Sequence, residues 1–186
     1  MKPLVCAILF FEVALYSAAG SAFDQSFTDL NGVAHQPLKL SDKLASVLIF
    51  YWHDCPICNS YAPEINRISS NYTNFAFYIV QVDSQLSEST AKKHAAQYDL
   101  RPPVLLDPKH ELVKITGAMV TPEAVIIGKD RDILYRGQID DLYPSIGKKR
   151  ASATQHGLRD ALHAIANNQP IKQKQTKAIG CVIESK

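Results

Sequence analysis

Residues 46–58 read SVLIFYWHDCPIC, an apolar run followed closely by Cys55 and Cys58. The run is rich in strand-forming residues and shows no polar alternation, which is typical of a strand covered on both faces. Apolar residues at helical spacing follow over residues 59–71, and residues 75–82 form a second apolar run. The sequence therefore predicts a strand–helix–strand unit, with the Cys-x-x-Cys pair where the strand gives way to the helix.

The rest of the chain predicts three more helices and a β-hairpin. Ser87 is expected to cap a helix of polar composition, residues 112–115 suit a short helix, and residues 154–166 suit a last one. Apolar residues at 124–127 and 133–135 flank a loop of turn-forming residues, which indicates the hairpin. This order of elements predicts an α/β protein, a three-layer sandwich with a central mixed β-sheet flanked by helices.

The amino-terminal residues have the composition of an export signal. Lys2 precedes an unbroken apolar run at 4–11, and the small residues at 17–22 offer cleavage points. Residues 1–22 are therefore predicted to be a signal peptide, which implies a periplasmic or secreted protein without a membrane span after cleavage. Glu12 interrupts the apolar region and leaves an uncleaved membrane anchor or a buried amino-terminal helix as the alternatives.

The remaining residues are interpreted as one domain over 23–170, followed by a polar, irregular tail over 171–186. Of the 186 residues, 20 are Lys or Arg and 18 are Asp or Glu, so the formal net charge is +2. No stretch concentrates basic residues as nucleic-acid binding requires, and nucleic acid is not expected as a partner.

The cysteine content narrows the chemistry. Cys6 would leave with the signal peptide, so the mature chain would hold Cys55, Cys58 and Cys181. An odd number argues against a static disulfide framework in an exported protein, because one thiol is left over. A zinc ribbon would need a second Cys-x-x-Cys pair, which the sequence lacks. The pair is therefore interpreted as a redox couple that needs no metal and no cofactor.

The position of the two cysteines predicts different roles for them. Unpaired N–H groups and the dipole at a helix amino terminus stabilise an anion, so Cys55 is expected to be an exposed nucleophile with a depressed pKa. Cys58 lies one turn further along and is expected to be buried, as suits a resolving thiol.

The same stretch resembles the active site of the thioredoxin superfamily. Trp52 precedes the CPIC sequence, Pro63 follows five residues after Cys58, and a Val-Thr-Pro sequence ends at Pro122. The resemblance implies that Pro122 follows a cis peptide bond and faces the cysteines. It also implies that Thr121, Pro122 and Trp52 contact the bound partner.

Further segments resemble exported bacterial redoxins of the AhpC/TSA type: residues 105–108, 122–127, 135–141 and 180–183. Peroxidases of this group carry a hydroxyl residue and a proline where this chain has Trp52 and Leu48, which argues against direct peroxide reduction. Related membrane-tethered oxidoreductases carry a glutamate at the position of Tyr61. His53 and Glu64 are the candidates for proton transfer instead.

The predicted function is a thiol–disulfide oxidoreductase that exchanges disulfides with protein thiols through Cys55 and Cys58. One alternative is a peroxiredoxin-like thiol peroxidase in which Cys58 or Cys181 resolves the oxidised Cys55. A copper-binding chaperone of the Sco type is a further alternative, although those proteins space their cysteines by three residues. Cys181 is interpreted either as a third redox thiol that pairs with Cys55 or as a buried free cysteine.

Overall fold

The computed structural model describes residues 24–40 and 42–184. The predicted signal peptide, residues 1–22, lies outside the described residues. Within the described ranges, no helix is long and apolar enough to cross a membrane.

The structure contains nine strands and four helices in its described residues. In chain order these are β1 (Phe27–Thr28), β2 (Ala34–His35), β3 (Ser46–Tyr51), α1 (Pro56–Asn71), β4 (Ala76–Gln81), α2 (Glu88–Gln97), β5 (Val104–Leu106), α3 (Glu111–Thr116), β6 (Val120–Thr121), β7 (Glu123–Ile127), β8 (Ile133–Gly137), α4 (Gly157–Ala166) and β9 (Cys181–Val182).

Five strands form the central sheet in the order β5-β4-β3-β7-β8. Strands β3, β4 and β5 are parallel, whereas β7 pairs antiparallel with both β3 and β8. Two small antiparallel pairs, β1-β2 and β6-β9, lie outside this sheet. The mixed sheet and the β7-β8 hairpin predicted from the sequence are confirmed.

Burial explains the apolar composition of the central strand β3, because every one of its residues is buried. Val47, Ile49 and Tyr51 point into a core shared with α1 and α4, while Leu48 and Phe50 point into a second core shared with α3 and the amino-terminal strands. With helices on both faces, a strand needs apolar side chains at every position. The predicted three-layer sandwich of the thioredoxin type is therefore confirmed.

Two helices begin at other residues than predicted. Helix α1 starts at Pro56 instead of residue 59, because proline at the first helical position lacks an N–H that would be unpaired there in any case. Helix α4 starts at Gly157 instead of residue 154. The backbone N–H groups of Thr154 and Gln155 donate to the Asp141 carboxylate at 2.6 and 2.9 Å, which holds them outside the helix.

The carboxy-terminal tail is more ordered than its polar composition predicted. The Arg136 N–H donates to the Lys174 carbonyl at 2.9 Å, and the Thr176 N–H donates to the Arg136 carbonyl at 3.1 Å. The Thr176 hydroxyl also lies 2.7 Å from the Tyr135 hydroxyl. These contacts fasten the tail along the outer edge of β8, from which it crosses to β6 and forms β9.

Candidate active site

The amino terminus of α1 presents Cys55 at the end of the central strand. Cys55 is the N-cap residue, its N–H donates to the Trp52 carbonyl at 3.0 Å, and its own carbonyl accepts from the Asn59 N–H at 3.1 Å. No acidic side chain occupies the first turn of α1. In the reduced protein, the positive end of the helix dipole favours the thiolate form of Cys55.

The backbone around Pro122 faces this sulfur. The Thr121–Pro122 peptide bond is cis, and both residues are buried. The Cys55 Sγ lies 3.5 Å from the Thr121 carbonyl oxygen. The structure thus shows the cis bond before Pro122 that the family resemblance implied, and it places the Thr121 carbonyl beside Cys55.

Cys181 forms a disulfide with Cys55, although 126 residues separate them along the chain. Their Cα atoms lie 6.3 Å apart, within the usual range for a disulfide. The interpretation of Cys181 as a free cysteine is therefore wrong. So is the expectation that Cys55 is exposed: it is fully buried, because β9 lies over it.

Cys58 is the free thiol and is fully buried, as predicted. Burial raises the pKa of Cys58 to about 12, against the smaller opposing effects of the Trp52 backbone and the Thr121 side chain. Removing the thiol from water disfavours its charged form. At neutral pH Cys58 is therefore almost entirely protonated.

A cavity of about 190 Å³ opens beside the disulfide. Trp52, Thr121 and His110 form part of its wall, and Val182 and Ile183 of the tail form another part. Trp52 is partly buried and packs against both cores. Of the three predicted partner-binding residues, Trp52 and Thr121 therefore line one cavity together with the tail.

The two candidates for proton transfer differ in their surroundings. His53 lies two residues before Cys55, with its Nδ1 3.4 Å from the Asp83 carboxylate and its Nε2 3.2 Å from that of Asp54. The Glu64 carboxylate accepts from the Arg159 guanidinium at 2.8 Å and also pairs with Arg67. Glu64 is therefore engaged by two cations on the surface of α1 and α4.

A polar cluster beside α1 was not predicted. The Asn59 Oδ1 accepts from the Tyr51 hydroxyl and from the His94 Nε2, both at 2.9 Å, and its amide donates to the His53 carbonyl at 2.9 Å. Burial, reinforced by the nearby His53, lowers the pKa of His94. The only sequence signal was a polar residue, Asn59, directly after the CPIC sequence.

A second missed contact joins α1 to the loop after β8. The Tyr61 hydroxyl donates to the Asp140 carboxylate at 2.6 Å, and the Leu142 N–H donates to the same oxygen at 2.9 Å. Burial and then this hydrogen bond raise the pKa of Tyr61. The position where tethered relatives carry a glutamate thus holds a neutral phenol that contacts a carboxylate from another element.

A metal site needs several ligand side chains placed close together. Among the residues that the structure describes, no group of three or more His, Cys, Asp or Glu side chains is placed to hold a metal ion.

Comparison with known proteins assigns the family. The sequence profile of the AhpC/TSA family matches residues 22–136. This chain belongs to the AhpC/TSA family. The thiol-disulfide oxidoreductase ResA of Bacillus thuringiensis subsp. konkukian is 28% identical to this AhpC/TSA protein over 109 residues, which cover 58% of this chain and 61% of ResA. The match thus spans about three fifths of the relative.

Solved structures share the fold. An uncharacterized conserved protein from Geobacillus kaustophilus superposes with a TM-score of 0.75 and 27% identity, over 87% of this chain and 88% of that one. A secreted Mycobacterium tuberculosis disulfide oxidoreductase superposes with a TM-score of 0.58 and 18% identity, over 77% of this chain and 98% of that one. Both likenesses agree with the thioredoxin-like architecture.

The structure also explains how this AhpC/TSA protein departs from the peroxidases of its family. The position of the peroxidase proline is Leu48, which is fully buried inside β3. Leu48 packs into the core shared with α3, on a strand paired at both sides. This position therefore belongs to a covered strand and contributes to the core.

Proposed function

We propose that this chain is a thiol–disulfide oxidoreductase that exchanges disulfides with protein partners through Cys55, with Cys58 and Cys181 as its other redox thiols. The observation that carries the proposal is the position of Cys55, at a helix amino terminus, beside the Thr121 carbonyl and already bonded to a second cysteine. The relative ResA is named for the same activity.

The chemistry follows from the different environments of the cysteines. In the reduced protein the helix amino terminus favours the Cys55 thiolate, which attacks a sulfur of the partner's disulfide and forms a mixed disulfide. Cys58 or Cys181 then attacks the Cys55 sulfur and releases the partner's second thiol. The reverse sequence oxidises a partner, and the relative reduction potentials of the two proteins set the direction.

We assign partner contact to Trp52 and Thr121, which line the cavity, and to Pro122, which follows Thr121 through a cis peptide bond. Of the two proton-transfer candidates, His53 is favoured over Glu64. His53 lies two residues before Cys55, whereas the Glu64 carboxylate is held by Arg159.

We further propose that the protein is exported after removal of residues 1–22, leaving the domain over 23–170 with its tail over 171–186. An oxidising compartment suits the disulfide between Cys55 and Cys181. The fold is shared with a secreted disulfide oxidoreductase. Mass spectrometry of the exported chain tests the cleavage.

The activity is tested by reduction of insulin with a small dithiol as electron source. The wild-type protein is expected to accelerate the reaction, and Cys55→Ser to abolish the acceleration. Lys129→Ala, at an exposed position of the β7–β8 turn, is the control and should behave as wild type. In the double variant Cys58→Ser, Cys181→Ser, which leaves no resolving thiol, a partner should be trapped as a mixed disulfide and identified by mass spectrometry.

Two results would decide against the proposal. The first is a wild-type protein that exchanges disulfides with none of several oxidised protein substrates at a rate above the uncatalysed reaction. The second is consumption of hydrogen peroxide much faster than by free cysteine, which would favour the thiol peroxidase instead.

A further inference from the structure

The end of the tail occupies the open edge of β6, directly before Pro122. In this C-terminal segment, residues 177–184, Cys181 pairs with Thr121 and Val182 pairs with Val120 in an antiparallel ladder. The Ile183 N–H donates to the Met119 carbonyl at 2.9 Å and extends the pairing by one residue. The segment is thus bound as an added strand.

Gly180 shows that the segment is shaped for this position. A Cβ atom at Gly180 would lie 2.0 Å from the Thr121 carbonyl oxygen and 2.6 Å from the Thr121 carbonyl carbon. Those atoms belong to the backbone and cannot rotate away. The segment reaches Cys55 in this register only because residue 180 has no side chain.

Besides the disulfide, the segment is held by a short ladder of backbone hydrogen bonds and by Ile183, which is partly buried and packs against the second core. Strand β9 has only two residues, the Val182 side chain is 71% exposed, and Glu184 is exposed as well. So short a pairing is marginal in water by itself. The covalent bond between Cys55 and Cys181 is therefore the main tie between the C-terminal segment and β6.

Thr121 touches all three cysteines. Its carbonyl oxygen lies 3.5 Å from the Cys55 Sγ, and its hydroxyl lies 3.4 Å from the Cys181 carbonyl oxygen and also contacts the Cys58 thiol. Cys58 follows the N-cap Cys55 by three residues, a spacing that places side chains side by side on a helix. The free thiol and the disulfide therefore meet at one residue.

We propose that Cys58 and the disulfide exchange within the chain, and that this exchange releases the C-terminal segment from β6. The Cys58 thiol loses its proton to solvent and its sulfur attacks the Cys55 sulfur. The Cys55–Cys58 bond forms as the Cys55–Cys181 bond breaks, and Cys181 keeps the electron pair and takes up a proton. One disulfide and one thiol are present before and after, so no external oxidant or reductant is needed.

The closed arrangement opens slowly at neutral pH. Burial keeps the Cys58 thiol protonated at neutral pH, and only the thiolate attacks a disulfide efficiently. After release the segment stays close, because Thr176 remains bound to Tyr135 and to the Gln138 N–H. A short tether from Thr176 to Cys181 keeps the local concentration of the released thiol high.

Release would uncover the edge of β6 for a partner. Resting on the proposed function, the occupant of the freed edge is an extended segment of a partner protein that carries a cysteine. The C-terminal segment shows what fits there: an antiparallel strand whose cysteine faces Thr121, preceded by a residue small enough to approach the Thr121 carbonyl. The segment and the partner cannot occupy this edge together.

The test determines which cysteine is free in the oxidised full-length chain, with Cys6→Ser to leave three cysteines. Exchange is stopped with acid, the unfolded chain is alkylated, and peptide mass spectrometry measures the ratio of label on Cys181 to label on Cys58. In Gly180→Ala this ratio should rise roughly tenfold, the effect of losing one or two net hydrogen bonds. Lys177→Ala, an exposed position in the same segment, should leave the ratio unchanged.

A second measurement holds even if Gly180→Ala folds poorly. Hydrogen exchange of the Ile183 amide should be slow in the wild-type protein and at least tenfold faster in Cys181→Ser. This substitution removes the disulfide but keeps the shape of the side chain. An unchanged label ratio in Gly180→Ala, or equal protection of the Ile183 amide with and without the disulfide, would overturn the inference.

Insulin reduction by the same preparations separates the two proposals. Internal exchange together with no activity on any protein disulfide would refute the proposed function and leave the release of the segment intact. Activity on insulin, together with a C-terminal segment that stays on β6, would support the proposed function and refute the release of the segment.

Discussion

The reactivity of Cys58 is the most direct consequence of its burial. The structure raises the pKa of this thiol from 9.0 to about 12. A difference of about three pKa units lowers the thiolate fraction about a thousandfold at neutral pH relative to the unfolded chain. Raising the pH should therefore increase the alkylation rate of native Cys58 about tenfold per unit from about pH 7 to about pH 11. The unfolded reference should level off near its ordinary pKa.

The neighbours of Cys58 do not obscure this titration. The thiol faces the Trp52 backbone and the Thr121 side chain, neither of which ionises. Burial also raises the pKa of the nearby Tyr51, so that phenol stays neutral over the range. Because its pKa is raised in the folded state, Cys58 is more strongly protonated in the folded chain than in the unfolded one. Its contribution to stability is therefore retained below about pH 9 and lost as the pH rises towards about 12.

The assay follows incorporation of iodoacetamide into the oxidised wild-type protein, with the Cys58 and Cys181 peptides quantified separately by mass spectrometry. The same chain in denaturant supplies the reference rate. Native Cys58 that reacts at neutral pH within about tenfold of the unfolded chain would refute the argument from burial. So would a native rate that levels off near the ordinary thiol pKa.

Other side chains lead to three further predictions. His53→Asn should slow disulfide exchange roughly tenfold at neutral pH and flatten the pH profile of the exchange rate. Glu64→Gln, at a carboxylate bound to Arg159, should leave this profile unchanged. A larger effect of Glu64→Gln than of His53→Asn on insulin reduction would exclude His53. Hydrogen bonds from the Thr154 side chain, the Gln155 N–H and the Thr154 N–H lower the pKa of Asp141 to about 2, so Asp141→Asn should cost about 2 kcal/mol of unfolding free energy at neutral pH. This cost should shrink as the pH falls from about 4 to about 2. Urea unfolding of both proteins at these two pH values measures the cost, and an equal cost at both would contradict the prediction. Asn59→Ala should lower the free energy of unfolding by about 1 to 3 kcal/mol, since it leaves the buried Tyr51 hydroxyl and His94 imidazole without their hydrogen-bond acceptor. A thermal midpoint equal to that of wild type would contradict this prediction.

The layers of the fold were readable from local patterns. The apolar run of β3 predicted a strand covered on both faces, because burial on both sides removes the polar alternation of an exposed strand. The hairpin of β7 and β8 was readable from its turn residues. The place of Cys55 at a strand-to-helix junction followed from the same local patterns, and the likeness of the Val-Thr-Pro sequence to the thioredoxin superfamily pointed to Pro122.

The contacts made by the tail could not be read in this way. Residues 171–180 have no apolar periodicity, so nothing local indicated that Thr176 binds the edge of β8 or that β9 pairs with β6. The partner of Cys55 lies 126 residues away, and sequence order does not specify such a pairing. Short strands take their partners and register from the surfaces they meet.

The amino-acid sequence thus specified the sheet, its two cores and the reactive end of α1, because periodicity and helix ends are properties of neighbouring residues. Tertiary structure alone decided that Cys55 is covered, that Cys58 is the free thiol and that Cys181 closes the site. These depend on the distance between segments remote in the chain and on the space at Gly180, where a single Cβ would meet the Thr121 carbonyl.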